Sequence, residues 1–141
     1  MRTLLDTCVI SELNRREPNP VVEVAVEQLG PENLFVAAIS MGEIQKGISL
    51  LPAGRRRREF EQWFTFVLNR FASRILAVDL NASLIWGDLS ARPQFRGQTT
   101  LSIDLLIAAT ALNHGMSVMT RNTKDFVDTG VLLIDPWQGI D

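Results

Sequence analysis

The chain alternates short apolar segments with segments whose apolar residues recur at helical spacing, and this alternation constrains the fold most strongly. The short segments are residues 3–5, 34–39, 75–78, 116–120 and 131–134. Each is too brief for a stable helix and is typical of a buried strand. Strands that alternate with helices form mostly parallel sheets covered by helices on both faces. The sequence therefore predicts an α/β fold with a mostly parallel central sheet of about five strands.

Helical spacing marks the segments between these strands: residues 9–13, 21–29, 40–50, 55–72, 80–91 and 102–112. The fourth of them has one largely aromatic face, made of Phe60, Trp63, Phe64, Val67 and Phe71. Such a face predicts an amphipathic helix that packs against the core. In the fifth segment, Leu84, Ile85 and Leu89 are expected to point inwards.

Length, composition and charge exclude several classes of protein. The chain has 141 residues, of which 46% are hydrophobic and 21% charged, which fits one globular domain over residues 1–141. A net charge of −2 argues against general attraction to nucleic acid but leaves room for a local basic patch. Cys8 is the only cysteine, so no intrachain disulfide forms and a reducing compartment is expected. No apolar run approaches the ~20 residues of a membrane span, and Asp6 interrupts any signal-peptide core, so we expect a cytoplasmic protein.

Asp104 is the one charged residue in the most apolar helical segment. Residues 101–112 read LSIDLLIAATAL, a run rich in Leu and Ala that predicts a helix buried on nearly all sides. Burying a lone carboxylate is costly unless another group pairs with it. Asp104 either complements the helix dipole at a partly exposed end or faces a group that the rest of the chain supplies.

Four acidic residues stand at the beginnings of predicted helices, three of them just after a predicted strand: Asp6, Glu43, Asp104 and Asp125. The carboxyl ends of parallel strands lie at one edge of a sheet, so these residues are expected to converge. Local alternatives exist for three of the acids. Asp6 fits an N-cap, and Glu43 fits a capping box with Ser40. Asp125 fits a local cap with Asn122.

A cluster of four carboxylates favours a hard divalent cation. Carboxylates brought together raise one another's pKa unless a cation joins them. The chain has a single histidine and a single cysteine, so its oxygen ligands indicate Mg²⁺ or Mn²⁺ rather than Zn²⁺. Such an ion can lower the pKa of a bound water and screen a phosphodiester. A phosphate substrate then needs compensating cations. Arg121 is the first candidate, and the Arg55–Arg58 cluster, which could also be a solvated face or serve a partner, is the second.

Four motifs, in order and at matching spacing, resemble those of PIN-domain proteins. They are LLDTCVISE at 4–12, Ser40-x-x-Glu43, DLLIAATA at 104–111 and TRNTKDF at 120–126. The closing Asp135-Pro136-Trp137 is similar to the FitB-like branch of VapC-type toxins. The resemblance covers essentially the whole chain and implies a PIN-like three-layer α/β/α sandwich.

The resemblance implies a metal-dependent endoribonuclease that is the toxin of a type II toxin–antitoxin pair, in which a metal-activated water attacks an RNA phosphodiester. It assigns catalysis and binding of Mg²⁺ or Mn²⁺ to four residues: Asp6, Glu43, Asp104 and Asp125. Four more are expected to support these acids or to contact substrate: Thr7, Thr120, Arg121 and Asn122. The expected partners are RNA, a cognate antitoxin and a second copy of the chain.

Cys8 departs from the family, which usually has Asn at this position. A thiol lacks the donors of an amide, so a hydrogen bond to the acids is expected to be missing. One alternative is therefore a catalytically impaired PIN-like module that binds RNA or a partner. A second alternative is a phosphotransferase with Asp6 as nucleophile, but that chemistry needs a second acid where Cys8 stands.

Two predicted helices could also receive an antitoxin. Their apolar residues at helical spacing are Val22, Val26 and Leu29 in one, and Ile44, Ile48 and Leu51 in or beside the other. The simplest interpretation places them in the core. The alternative is a groove for an apolar helix of the partner, whose arginine would reach the acids.

Overall fold

The computed structural model describes residues 1–97 and 102–139, so Leu101 and part of the predicted loop 92–100 lie outside the described residues. The strands are β1 (Thr3–Leu5), β2 (Leu34–Ala37), β3 (Ile75–Leu76), β4 (Ser117–Met119) and β5 (Leu133–Ile134). The described α-helices are α1 (Thr7–Leu13), α2 (Pro20–Leu29), α3 (Ala38–Leu50), α4 (Arg55–Arg70), α5 (Leu80–Ala91) and α6 (Ser102–His114). A 3-10 turn, Thr123–Phe126, precedes β5. None of these described helices is long and apolar enough to cross a membrane.

The strands form one parallel sheet in the order β3-β2-β1-β4-β5. β1 is central, and its Leu5 lies between Val36 of β2 and Met119 of β4. The chain adds β2 and β3 on one side of β1 and then β4 and β5 on the other, so the strand order reverses between β1 and β4. Sheets of this kind bind ligands outside the carboxyl ends of the strands at that switch point. The predicted parallel sheet is confirmed.

Two buried apolar clusters fill the space on either side of the sheet. Successive strand residues point to opposite faces. Leu5 and Met119 therefore join one cluster with residues of α1 to α4, which we call the first core cluster. Leu4 and Val118 join a second cluster with residues of α5 and α6. The sheet thus lies between two helical layers, which confirms the three-layer α/β/α sandwich.

The helices bury the predicted faces with one exception. Phe64 and Val67 of α4 are buried, and α6 is buried continuously over 107–111. The prediction for Leu84 is wrong, because this residue of α5 is 63% exposed. α5 instead buries Ala82 and Leu89, which lie seven residues apart on one face, and this orientation turns Leu84 towards solvent.

α3 begins earlier than predicted, and this removes the local explanation for Glu43. β2 ends at Ala37 and α3 starts at Ala38, so Ser40 lies inside the helix. The Ser40 hydroxyl oxygen is buried and has no hydrogen-bond partner within the described part of the chain. The predicted capping box is therefore wrong, because the strand runs directly into the helix and Glu43 lies in its second turn.

Candidate active site

Asp6 lies at the switch point of the sheet, between the carboxyl ends of β1 and β4. Its backbone N–H donates to Met119 O at 2.9 Å. Its Oδ1 accepts from Thr7 N at 2.8 Å, which makes Asp6 the N-cap of α1. Its Oδ2 accepts from the Thr120 hydroxyl at 2.8 Å. These donors orient a carboxylate on a residue that is only 7% exposed and offset the cost of burying its charge.

Glu43 approaches the same region from α3 and is oriented by Thr7. The Thr7 hydroxyl donates to Glu43 Oε1 at 3.2 Å. Burial raises the pKa of Glu43, the hydrogen bond from Thr7 opposes this rise, and the charge of Asp6 adds to it. Thr7 therefore contacts two of the predicted acids, one through its backbone N–H and the other through its hydroxyl.

Asp104 is half-buried in the first turn of α6 and is repelled by the three other acids. Its pKa is raised to about 7, first because burial desolvates the carboxylate and then because Asp6, Asp125 and Glu43 repel its charge. We call these four residues the acidic pocket. The structure thus places Asp6, Glu43 and Asp125 close enough to Asp104 to repel its charge. Interaction of Asp104 with the helix dipole alone does not explain these surroundings.

Thr120 links the acidic pocket to the segment that follows β4. Its hydroxyl accepts from Asn122 N at 3.0 Å while donating to Asp6 Oδ2. Asn122 therefore contacts this network through its backbone, and its side chain is exposed. The local cap of Asn122 with Asp125, which was the alternative explanation for Asp125, is absent. The Asn122 side chain makes no capping hydrogen bond to the turn Thr123–Phe126. Asp125 lies half-buried in that turn.

Cys8 contacts the same network. Its Sγ lies 3.9 Å from Asp6 Oδ2 and 3.6 Å from Thr120 Oγ1. Burial raises the pKa of the thiol, so Cys8 is a neutral, weak donor at neutral pH. The side chain also packs against the first core cluster. Asp6 therefore has one weak S–H donor at the position where the family usually has an amide.

The donor groups of the acidic pocket fit a hydrated hard cation. Carboxylate oxygens dominate, and a protonated thiol is a poor ligand, so the chemistry matches Mg²⁺ or Mn²⁺. Within residues 1–97 and 102–139, no group of three His, Cys, Asp or Glu side chains is compact enough to hold a metal ion directly. Mg²⁺ usually keeps several waters and is held by one or two carboxylates, so this arrangement suits an ion bound partly through water.

The predicted substrate cations lie in different surroundings. Arg121 lies next to the acidic pocket, and its guanidinium carbon is 5.0 Å from the centre of the Trp137 ring. In the Arg55–Arg58 cluster, Arg55 and Arg57 form ion pairs with acids one turn along α4. Arg121 is therefore the better placed candidate for contact with a substrate at the pocket.

The simplest interpretation of the apolar residues on α2 and α3, which places them in the core, holds for Val22, Val26, Ile44 and Ile48. A cavity lies instead between α3 and α4. Val22 and Val26 of α2 are buried in the core and offer no surface to a partner. The cavity has a volume of about 320 Å³, and Ile48, Trp63 and Glu43 are among the residues that line it. It is thus largely apolar and includes one acid of the acidic pocket.

A second, polar cavity of about 440 Å³ is bordered by Arg121 and Trp137. Sequence reasoning missed it. In the sequence, Trp137 closed the fold and contributed to the resemblance to the FitB-like branch, and neither signal predicted a cavity.

Comparison with known proteins gives consistent relatives by sequence and by structure. The sequence profile of the PIN domain matches residues 3–132. The VapC ribonuclease Y4jK of Sinorhizobium fredii is 39% identical over 136 residues, which cover 96% of this chain and 97% of that protein. The toxin FitB of Neisseria gonorrhoeae is 34% identical, with 95% of this chain and 97% of that protein covered. The crystal structure of FitAcB from Neisseria gonorrhoeae superposes with a TM-score of 0.85 at 33% identity, covering 96% of this chain and 98% of that one.

Proposed function

The chain belongs to the PIN-domain family, and from this premise we propose that it is a metal-dependent endoribonuclease, the toxin of a toxin–antitoxin pair that acts in the cytoplasm. The observation that carries the proposal is the acidic pocket, in which three carboxylates repel the half-buried Asp104. A bound cation would remove this repulsion. The relatives named VapC ribonuclease and toxin FitB support RNA as the substrate and toxicity as the role.

We assign the metal to the four acids of the pocket, with Mg²⁺ or Mn²⁺ as the ion. When bound, the ion supplies an acidified water and screens the charge of a phosphodiester. The hydroxyl of Thr120 and the backbone N–H of Thr7 hold both oxygens of Asp6, so the remaining lone pairs of Asp6 are available in a fixed orientation. Asp104 would hold such an ion in its ionised form, because ligand carboxylates bind metals without their proton.

Cleavage of total RNA tests the proposal. The purified protein is incubated with total RNA with and without Mg²⁺ or Mn²⁺, and the new ends are mapped. We expect metal-dependent cleavage by the wild type and none by Asp104→Asn, which should remain folded. Asp88→Asn is the matched control, because Asp88 is exposed on α5 and should leave cleavage unchanged.

Two outcomes would contradict parts of this proposal. If Asp104→Asn cuts RNA as fast as the wild type in Mn²⁺, the acidic pocket is not the catalytic site. If the wild type binds RNA but does not cut it with either metal, the protein is the non-cleaving module that the departure at Cys8 suggests.

We further propose that an antitoxin occupies the cavity between α3 and α4. Its apolar lining suits an amphipathic helix, and the presence of Glu43 allows an arginine of the partner to reach the acidic pocket. Co-expression with the neighbouring small reading frame tests this. Failure of that product to co-purify or to suppress cleavage would refute it. We also expect a homodimer, which light scattering of the purified protein would detect.

A further inference from the structure

The polar cavity beside the acidic pocket has no role in the cleavage step. Glu12, Arg15, Glu17, Arg121 and Trp137 line it, together with residues 18–20, and its volume is about 440 Å³. Sites for small ligands span roughly 300–1,000 Å³. We propose that this cavity holds one unpaired nucleobase of the RNA, stacked on the Arg121–Trp137 pair beside the phosphodiester to be cut. The inference rests on the proposed ribonuclease function.

The cavity and the acidic pocket are connected through the hydrogen bonds of Thr120. The Thr120 hydroxyl donates to Asp6 Oδ2 at 2.8 Å and accepts from Asn122 N at 3.0 Å. Arg121 therefore lies between two residues that this hydroxyl group links to each other. Helix α1, which carries Glu12, begins at Asp6 as its N-cap. A base held against Arg121 therefore contacts the residue that directly follows Thr120, the hydrogen-bond donor to Asp6 Oδ2.

The guanidinium group of Arg121 lies over the Trp137 ring, and Arg121 is exposed on its outer side. The guanidinium carbon of Arg121 lies 5.0 Å from the centre of the indole ring, within the range of a cation–π contact. Trp137 is held in place because its backbone N–H donates to Asp135 Oδ1 at 2.9 Å and its side chain packs against the first core cluster. Unpaired RNA bases stack on aromatic rings and on arginine planes, which is the surface that this pair offers.

The charges around the cavity favour a neutral base over a phosphate. Glu12 is only 6% exposed. Its carboxylate accepts hydrogen bonds from Arg15 Nη1 at 3.3 Å and from Asn19 N at 3.1 Å. This pairing neutralises Arg15 and fixes one wall of the cavity. The second acid, Glu17, lines the cavity together with Arg121. Two acids and two arginines give no net attraction for phosphate, whereas a planar, neutral, hydrogen-bonding group fits the lining.

Binding of single-stranded RNA tests the proposal. The probe is a fluorescein-labelled oligoribonucleotide that contains all four bases, with a matched series that carries one abasic ribose at successive positions. Anisotropy is measured in EDTA, so that metal-dependent cleavage does not consume the probe. For the wild type we expect one position at which loss of the base weakens binding by about 5- to 150-fold, the range for one stacked base.

Two conservative variants separate stacking from charge. Arg121→Lys keeps the charge and loses the planar group, so it should bind the intact RNA as weakly as the wild type binds the sensitive abasic probe. Trp137→Phe should show a smaller loss in the same direction. Arg70→Lys is the matched control, since the Arg70 guanidinium lies 5.9 Å from the centre of the Phe71 ring at the far end of α4, and it should bind like the wild type.

The outcomes separate this inference from the proposed function. If Arg121→Lys discriminates intact from abasic RNA as well as the wild type does, the base site is refuted. Unchanged RNA binding combined with lost antitoxin binding would also refute it and assign the cavity to the protein partner. A single sensitive position without cleavage in Mg²⁺ or Mn²⁺ would support the base site and refute the nuclease. Cleavage in Mg²⁺ or Mn²⁺, with no sensitive position in the abasic series, would support the nuclease and refute the base site.

Discussion

Removing the charge of Asp104 should stabilise the metal-free protein above neutral pH. The pKa of Asp104 is raised from its ordinary value of 3.8 to about 7 by burial and by repulsion from the other three acids. Between pH 4 and pH 7, the folded protein therefore binds more protons than the unfolded chain. The free energy of unfolding consequently falls as pH rises through this window, and the penalty is complete above about pH 7.

The size of this penalty follows from the pKa. The rise to about 7 corresponds to roughly 4 kcal/mol at ~1.4 kcal/mol per tenfold change in proton affinity. Asp104 is only half-buried, and screening by solvent reduces the penalty to about 1–2 kcal/mol. Asn has nearly the same shape as Asp but no charge. Asp104→Asn should thus be more stable than the wild type by about 1–2 kcal/mol at pH 8, and this difference should shrink as the pH falls and become small at about pH 4.

Urea denaturation followed by far-UV circular dichroism measures the effect. Wild type and Asp104→Asn are compared at pH 4 and pH 8 in EDTA, which removes any bound cation. Asp88→Asn, at an exposed position of α5, controls for the loss of one negative charge from a chain of net charge −2. Equal stability of Asp104→Asn and the wild type at pH 8, or a difference that does not change with pH, would refute the electrostatic argument.

Three other predictions concern the same site. Mn²⁺ should raise the melting temperature of the wild type, because a ligand that binds the folded state stabilises it. The rise should be smaller for Asp104→Asn. A wild-type melting temperature that does not change with added Mn²⁺ would contradict the metal assignment. Thr120→Val removes a donor to Asp6 Oδ2 and an acceptor for Asn122 N. It should lower the free energy of unfolding by about 1–3 kcal/mol in urea titrations. A loss below ~0.5 kcal/mol would contradict a stabilising role for these two hydrogen bonds. Cys8→Asn gives Asp6 an amide donor in place of a weak thiol donor and should speed RNA cleavage by about fivefold, with Cys8→Ala as control; a slower Cys8→Asn enzyme would exclude this role.

Local signals in the sequence were sufficient for most elements of the fold. α5 was predicted with its observed bounds of Leu80–Ala91. In the structure, Ala82 N donates to Asp79 Oδ1 at the start of this helix, and Pro93 prevents its continuation. Local signals were misleading where packing decided the outcome. The Ser40-x-x-Glu43 pattern indicated a capping box, but the direct connection from β2 moved the helix start to Ala38.

The sequence by itself determined the parallel sheet and the candidate acids, because strand–helix alternation and the convergence of strand ends are rules of chain order. Only the tertiary structure decided which groups touch. Thr120 and Asp6 are 114 residues apart and form a hydrogen bond across two strand ends. The cavity bordered by Glu12, Arg121 and Trp137 exists because the turn Pro136–Gln138 packs against α2, close to the end of α1. Local residue patterns do not encode such distances, since they depend on how every intervening element packs.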